Sequence, residues 1–231
     1  MKIITVLLLL LFSEFTYSSE QDYINGIEYY KNKKFLMAIG SFKKVLESGK
    51  QDEKIYFYLG NCYAFIENYD KALESLKISG ELAEDLKFKS IVIHNIGYVY
   101  YLKKDYKKSI NYLNQAYQIN TNLNQVFWYK GMAYFKLKDK ENTISEWEKY
   151  LELEPDGKES DNIRKALAIL KAKDFSFEKD EGKIMVEISS GEKGGEKIEV
   201  MPLIDVEGVL EEIKPEDKGK LSDEALEEIE K

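Results

Sequence analysis

The side chains that most often carry out catalysis or bind metals are scarce in this sequence. Cys62 is its only cysteine and His94 its only histidine. A disulfide within the chain or a thiolate metal cluster needs more than one cysteine, and a single histidine argues against histidine-based metal sites and catalytic triads. The sequence therefore predicts no catalytic residue, no metal site and no cofactor. We expect His94 to be a hydrogen-bonded residue of a groove or of the core, and Cys62 to be a small buried or half-buried hydrophobic residue.

Two other patterns that could support chemistry have simpler explanations. The glycine-rich residues 191–195 lie between charged residues and open no helix, so they lack the context of a phosphate-binding loop. Acidic pairs are abundant, but they fall on the polar faces of amphipathic segments, where charges are usually only solvated. An enzyme is therefore not expected, and the sequence favours a function in binding.

Charge is distributed unevenly along the chain. Of the 231 residues, 44% are hydrophobic and 33% are charged, which favours a folded core over disorder. Residues 174–231 contain 19 acidic and 8 basic side chains and carry a net charge of −11, whereas the preceding residues contain 23 acidic and 26 basic ones and carry +3. Because no basic stripe dominates, nucleic acid is not an expected partner.

The first 18 residues have the three-part pattern of a secretory signal peptide. Lys2 supplies a positive start, residues 3–12 form an apolar run, and the small residues Thr16 and Ser18 precede the expected cleavage site. The apolar run of about ten residues is too short for a membrane anchor, which needs about 20. The sequence therefore predicts an exported bacterial protein that is periplasmic, located in the cell envelope, or secreted.

Four segments repeat one pattern of glycine and aromatic residues. An aromatic residue follows each glycine by three positions, and successive glycines are 34, 37 and 34 residues apart. The four pairs are Gly26 and Tyr29, Gly60 and Tyr63, Gly97 and Tyr100, and Gly131 and Tyr134. A small residue and, four positions later, a large apolar residue complete each copy: Ala38 and Phe42, Ala72 and Leu76, Ser109 and Leu113, and Thr143 and Trp147.

A period of 34 residues with these offsets resembles the tetratricopeptide repeat family. The resemblance implies an all-α fold, a right-handed solenoid of about four helical hairpins that occupy about 19–52, 53–86, 90–123 and 124–157. A capping helix at 158–173 is expected to cover the apolar C-terminal end of the stack. The fourth copy departs from the pattern, because it lacks the aromatic residue that precedes the second helix at Phe35, Tyr69 and Tyr106.

Close approach of the two helices in each hairpin explains why a glycine recurs. Helices of this length are marginal alone and must bury their apolar stripes against a neighbour. A small residue such as Gly60, facing Ala72 on the partner helix, lets the two backbones approach. We therefore expect a bulky substitution at Gly60 or Gly97 to overpack the hairpin, at a cost of about 1–3 kcal/mol.

The resemblance also implies where a partner binds. The first helices of stacked hairpins line a concave surface, and residues three before, one after and four after each glycine should face it. We expect Trp128, Tyr101 and Tyr23 to be accessible there, whereas Phe57 and Tyr98 fit either the groove or the core. The predicted protein-binding groove comprises Tyr23, Ile27, Tyr30, Phe57, Asn61, Phe65, His94, Tyr98, Tyr101, Trp128, Met132 and Phe135.

Lysine residues cluster at the turns between the helices of three copies. They are Lys31, Lys33 and Lys34, then Lys103, Lys104, Lys107 and Lys108, then Lys136, Lys138 and Lys140. Stacking would align them along one edge. Three functions are open for this edge: solubility, peripheral contact with anionic membrane lipids, or docking of the chain's own acidic tail.

Residues 174–231 are predicted to be an irregular, acidic and partly disordered tail. The alternative is a short β-hairpin, because residues 183–189 and 197–200 alternate apolar and polar side chains on either side of the glycine-rich run. Such a hairpin would dock on the solenoid or on a partner.

These features together predict a non-enzymatic adaptor or scaffold that binds a protein or peptide segment in the periplasm or cell envelope. Two alternatives are open: a self-assembling structural protein of the envelope, and an accessory subunit of envelope polymer handling whose groove stacks sugars on aromatic rings. The oligomeric state is open as well.

Overall fold

A computed structural model describes residues 19–189 of the chain, apart from the side chains of residues 186 and 189. The chain divides into two compact units, one that ends at Val99 and one that begins at Tyr100. The predicted leader at 1–18, the glycine-rich residues 191–195 and the predicted strand at 197–200 lie outside the described residues.

Unit 1, which ends at Val99, is built from successive helices. Its elements are α1 at residues 19–31, α2 (Phe35–Glu47), α3 (Glu53–Phe65), α4 (Tyr69–Leu82) and most of α5 (Leu86–Leu102). Helix α2 packs on α3, and α3 packs on α4. The largest fully buried side chains of this unit are Phe42, Ile55, Phe57, Leu76 and Ile91. Burial of this apolar surface is what makes helices of about 13 residues stable.

Unit 2, which begins at Tyr100, continues the pattern. After the last turn of α5 come α6 (Tyr106–Ile119), α7 (Gln125–Lys136), α8 (Lys140–Leu153), α9 (Ser160–Leu170) and α10 (Phe177–Ser189). Each of α6 to α9 packs on the helix that follows it. Between residues 19 and 189 every regular element is a helix, so the predicted all-α class is confirmed for that span. No helix in this span is long and apolar enough to cross a membrane.

The turns inside the four hairpins share one backbone geometry. Each has three residues, and the second adopts a positive φ of 56°, 61°, 63° or 59° at Lys33, Glu67, Lys104 or Lys138. In each turn the N–H of the third residue donates to the carbonyl five residues earlier, as from Asn68 to Tyr63 at 2.8 Å. This is the Schellman closure of a helix. The carbonyls that accept belong to the aromatic residues of the repeat: Tyr29, Tyr63, Tyr100 and Tyr134.

Side-chain caps then start the second helix of three hairpins. Asn68, Asp105 and Asp139 accept a hydrogen bond from the main-chain N–H three residues later, and this bond satisfies a donor that the helix itself cannot. Turn closure, followed in three copies by a side-chain cap, thus reverses the chain at the same point of each copy.

Three of the four recurring glycines, Gly26, Gly60 and Gly131, are positions of close approach, as predicted. A β-carbon at Gly26 would lie 2.6 Å from the ring of Phe42, and one at Gly60 would lie 2.6 Å from Leu76 and 3.2 Å from the main-chain oxygen of Ala72. At Gly131 it would lie 2.2 Å from Trp147. In each case the side chain that fills the space left by the glycine lies 16 residues further along the chain.

Gly131→Ala and Gly40→Ala are expected to change stability in opposite directions. The new methyl group at residue 131 would overlap the fully buried indole of Trp147, so the free energy of unfolding should fall by about 1–3 kcal/mol. Gly40 also lies in a helix but has no atom within 4 Å of its added β-carbon, so alanine there should add up to about 1 kcal/mol through helix propensity. Urea denaturation of both variants measures this, and an equal gain in both would contradict the close contact.

The three extra residues of the 37-residue interval lengthen a helix. Helix α4 ends at Leu82, and α5 begins at Leu86, which lies 11 residues before Gly97. In α3 and α7 the helix begins only seven and six residues before the corresponding glycine. The insertion therefore adds about one turn to the start of α5, and it leaves the hairpin that follows unchanged.

Helix α10 lies in the predicted irregular tail, so that prediction is wrong for this segment, and so is its alternative of a short strand at residues 183–189. Asp180, Ile184 and Ile188 are buried at four-residue spacing, which is the periodicity of a helix. Helix α10 packs on α9, and this contact supplies the buried face. A short apolar run with mixed spacing fits both periods, and burial against α9 decides between them.

Candidate protein-binding site

Four aromatic side chains of unit 1 form a partly exposed cluster, called here the unit 1 aromatic cluster: Tyr30, Phe35, Tyr58 and Phe65. The rings of Phe35 and Phe65 stack with centroids 4.3 Å apart and an interplanar angle of 8°. Tyr30 lies edge-on to Phe35 at 6.0 Å and to Tyr58 at 5.1 Å. Tyr30, Phe35 and Phe65 each keep part of their surface exposed, whereas Tyr58 is buried.

Two of these rings, Tyr30 and Phe65, are predicted groove residues, and two are not. Phe35 enters the repeat pattern only as the aromatic residue before the second helix, and Tyr58 follows the predicted groove residue Phe57 in α3. The stacked pair joins the first turn of α2 to the last turn of α3. Consecutive copies thus meet through these aromatic residues, and a search of the sequence for first-helix positions alone misses the α2 partner.

The other predicted groove residues of unit 1 divide into accessible and buried ones. Tyr23 and Ile27 are partly exposed on α1. Phe57, Asn61, His94 and Tyr98 are between 0% and 2% exposed and are therefore core residues. Phe57 packs against Phe88 with ring centroids 5.5 Å apart. These four side chains are therefore not accessible to a partner in this structure.

The buried polar residues of α3 and α5 form hydrogen bonds to one another. Asn95 Nδ2 donates to Asn61 Oδ1 over 3.1 Å, and His94 Nδ1 lies 3.2 Å from Asn95 Oδ1. Burial lowers the pKa of His94 to about 4, and the hydrogen bond to Asn95 opposes only part of this change. His94 is therefore neutral near pH 7. Burial also raises the pKa of the Cys62 thiol to about 12, so this cysteine is a poor nucleophile.

The predicted groove residues of unit 2 are mostly core. Trp128, Met132 and Phe135 are 3%, 8% and 0% exposed, and only Tyr101 is partly exposed. The expectation that Trp128 is accessible is therefore wrong. Its ring stacks on Trp147 at 5.9 Å, and its carbonyl accepts a hydrogen bond from Trp147 Nε1.

The burial of Trp128 has a physical cause in helix α7. This helix packs on α6 and on α8, so residues 126–133 are all buried. Lys130, the one charged residue of that run, forms an ion pair of 2.8 Å with Glu146. Residues 126–133 contain one charged residue and therefore have no polar helix face. This feature of the sequence could have identified α7 as a helix packed on both sides.

The third lysine group of the sequence, at residues 136–140, contacts the first turns of α10. Lys136 lies 3.5 Å from Glu181, and Lys138 lies 3.8 Å from Glu178. Lys140 Nζ lies 5.0 Å from the centroid of the Phe175 ring. Acidic residues that follow residue 174 thus do meet lysines of the predicted edge.

Residues 19–189 contain no group of three or more histidine, cysteine, aspartate or glutamate side chains that could hold a metal ion. The residues brought together in this part of the chain are aromatic and charged groups suited to contact with another polypeptide.

Comparison with sequence families identifies two of the repeats, both in the second half of the repeat region. Family models described as tetratricopeptide repeat match residues 92–123 and 125–157. Residues 92–157 therefore contain two tetratricopeptide repeats. The two matched segments coincide with the third and fourth predicted copies, and the shared turn geometry extends the tetratricopeptide pattern to the first two.

Two curated proteins are similar to parts of this chain. A TPR repeat-containing protein of Methanocaldococcus jannaschii is 27% identical over 143 residues, which are 58% of this chain and 23% of that protein. The photosystem I assembly protein Ycf3 of Acaryochloris marina is 27% identical over 111 residues, or 46% of this chain and 67% of Ycf3. The alignment thus spans less than a quarter of the archaeal relative.

Solved structures share the fold. A crystal structure of MamA aligns with a TM-score of 0.56 at 21% identity and covers 75% of this chain and 91% of MamA. YrrB, described as a TPR protein with an unusual peptide-binding site, aligns with a TM-score of 0.54 at 18% identity, over 61% of this chain and 71% of YrrB. At these identities the likeness is one of fold, and it confirms the TPR solenoid class.

Proposed function

We propose that this chain is a non-enzymatic adaptor or scaffold that binds a segment of a partner protein through the unit 1 aromatic cluster. The observation that carries the proposal is the stacked pair of Phe35 and Phe65, which keeps an exposed surface beside the partly exposed Tyr30. Aromatic side chains supply much of the energy at protein interfaces, and rings already fixed by stacking lose little entropy on binding.

The tetratricopeptide relatives support this class of function. YrrB, which shares the fold, is described as having a peptide-binding site, and the relative Ycf3 is named as an assembly protein. The state of the only histidine and the only cysteine supports a non-enzymatic role. Both are buried, and burial shifts the pKa of each away from the range in which it would exchange protons near pH 7.

We place this function in the periplasm or the cell envelope. The proposal rests on the signal-peptide pattern of residues 1–18, in which a positive start precedes a short apolar run and a small residue at the cleavage position. A scaffold in that compartment would hold another envelope protein.

Tyr30→Ala combined with Phe65→Ala is expected to weaken partner capture from an envelope extract by at least about tenfold, because a hot-spot pair commonly contributes more than 1.4 kcal/mol. The matched control is Tyr112→Ala with Tyr117→Ala, which removes two partly exposed rings from α6 in unit 2. Quantitative mass spectrometry of the retained proteins measures capture, and circular dichroism checks that both variants keep their helices.

Other outcomes of this experiment have definite meanings. Equal capture by both double variants would mean that the unit 1 aromatic cluster is not part of the binding site. Recovery of the chain's own copies alone would favour self-assembly, for which the exposed Ile24, Leu36 and Met37 (51%, 71% and 50%) offer an apolar surface.

N-terminal sequencing of the protein from the extract should begin at Ser19, and a chain that begins at Met1 would contradict cleavage.

A further inference from the structure

Helix α10 is anchored on unit 2 by one aromatic residue and two aliphatic ones. The ring of Phe177 lies 5.5 Å from that of Phe135 in α7 and 5.0 Å from that of Phe175. Ile184 and Ile188, about two and three helical turns after Phe177, are 0% and 9% exposed. The segment that follows the repeats therefore covers a predicted groove residue, Phe135.

Ion pairs arrange the acidic side chains of α10 opposite lysines of the unit. Glu178 and Glu181, in the first turns of α10, pair with Lys138 and Lys136 at 3.8 and 3.5 Å. Burial raises the pKa of the Tyr106 phenol in α6, and the carboxylate of Glu181 raises it further. Further along, Glu187 lies 3.6 Å from Lys165 of α9.

The ion pairs at the start of α10 contribute little to its docking, which depends mainly on apolar contacts. The lysine and glutamate side chains of the first two pairs are between 24% and 79% exposed, and exposed ion pairs contribute little to stability. A helix of 13 residues is marginal by itself, so α10 is helical because it is docked. Docking depends mainly on Phe177, Ile184 and Ile188, and residues 171–176 link α10 to α9.

We propose that the surface under α10 is a second binding site, specific for an acidic amphipathic helix of a partner protein, and that α10 occupies it in the free chain as a competing intramolecular ligand. The matching partner helix carries an aromatic anchor, with carboxylates one and four residues later, as Phe177, Glu178 and Glu181 do. This site is independent of the unit 1 aromatic cluster, since it uses only residues of unit 2. Either site can fail without the other.

The probe is a fluorescent synthetic peptide with the sequence of residues 174–189, added to the full-length chain. The release variant is Phe177→Ala with Ile184→Ala. It weakens the docking of the chain's own α10, so that the surface under α10 becomes accessible to the peptide. The peptide should bind this variant at least about tenfold more tightly than the wild-type chain, because the competitor no longer occupies the site. Fluorescence anisotropy measures the two dissociation constants.

A charge exchange tests whether the recognition is the one described. Lys136→Glu with Lys138→Glu, added to the release variant, should weaken binding of the natural peptide by at least about fivefold, because like charges then face each other. A peptide with Glu178→Lys and Glu181→Lys should restore most of the loss. Restoration by the exchanged pair is not expected from a variant that has merely misfolded.

Hydrogen exchange of the wild-type chain tests the proposal even if the release variant is unstable. Amides of α10 should exchange faster than those of α7 and α8, and excess peptide should accelerate them further, because it takes the place of the helix. Exchange of α10 only together with α7 and α8 would overturn the proposal, since the helix would then be a fixed part of the unit. A folded release variant that ignores the peptide would overturn it equally.

Discussion

Trp147→Ala is expected to lower the free energy of unfolding by about 3–5 kcal/mol, which is a large part of the 5–15 kcal/mol that stabilises a typical domain. Trp147 is fully buried, and its indole lies between Trp128 and Phe135, with ring centroids 5.9 and 6.1 Å away. Its Nε1 donates to the carbonyl of Trp128 over 3.3 Å. Alanine removes all of these contacts and leaves a cavity that Gly131, which has no side chain, cannot fill.

The same helix provides the control for this prediction. Leu153, at the end of α8, is 36% exposed. Surface substitutions usually have small effects, so Leu153→Ala should change the free energy of unfolding by about 0.5 kcal/mol or less. Urea denaturation followed by far-ultraviolet circular dichroism suits both variants, since it does not depend on the fluorescence of the lost indole. A loss below about 1 kcal/mol for Trp147→Ala would mean that the packing around Gly131 collapses easily or is absent.

The pairing of Gly131 with Trp147 shows how much of the fold the sequence predicts. A glycine followed at 16 residues by a large apolar residue recurs in the sequence, and the structure places Phe42, Leu76 and Trp147 against the glycines of their own copies. Local signals determine these hairpins, because the glycine, the aromatic residue and the turn all lie within about one repeat. The helical hairpins and the TPR class could therefore be predicted.

Features that depend on more distant neighbours could not be predicted in the same way. Trp128 sits at a position that faces the groove in the repeat pattern, yet packing of α7 between α6 and α8 buries it. The segment at residues 183–189 has a mixed pattern, and α9 decides that it is a helix. Phe35 lies outside the set of first-helix positions, so its stacking on Phe65 appears only when consecutive copies are brought together.

Acidification from about pH 7 to about pH 4 is expected to cost about 3 kcal/mol of stability through His94. Burial lowers the pKa of His94 from 6.5 to about 4, against the weaker opposing effect of its hydrogen bond to Asn95. Between these two pH values the unfolded chain binds a proton that the native chain does not, so the free energy of unfolding falls as the pH falls. Above about pH 7.5 the imidazole is mostly neutral in both states, and its contribution is nearly constant.

Comparison with His94→Gln isolates this effect from that of the carboxylates, which titrate in both proteins. Glutamine keeps a polar side chain that can hydrogen-bond to Asn95, and it does not titrate. The free energy of unfolding of the wild-type chain, from urea denaturation, should therefore fall more steeply between about pH 6.5 and about pH 4, by up to about 1.4 kcal/mol per pH unit. Parallel profiles would mean that the native chain already accepts a proton on His94, and hence that α3 and α5 do not close over this residue. A steeper wild-type profile would mean that protonation of His94 opposes the packing of α5 in unit 1. The loss of unfolding free energy at low pH would then follow from the burial of the only histidine beside Asn95.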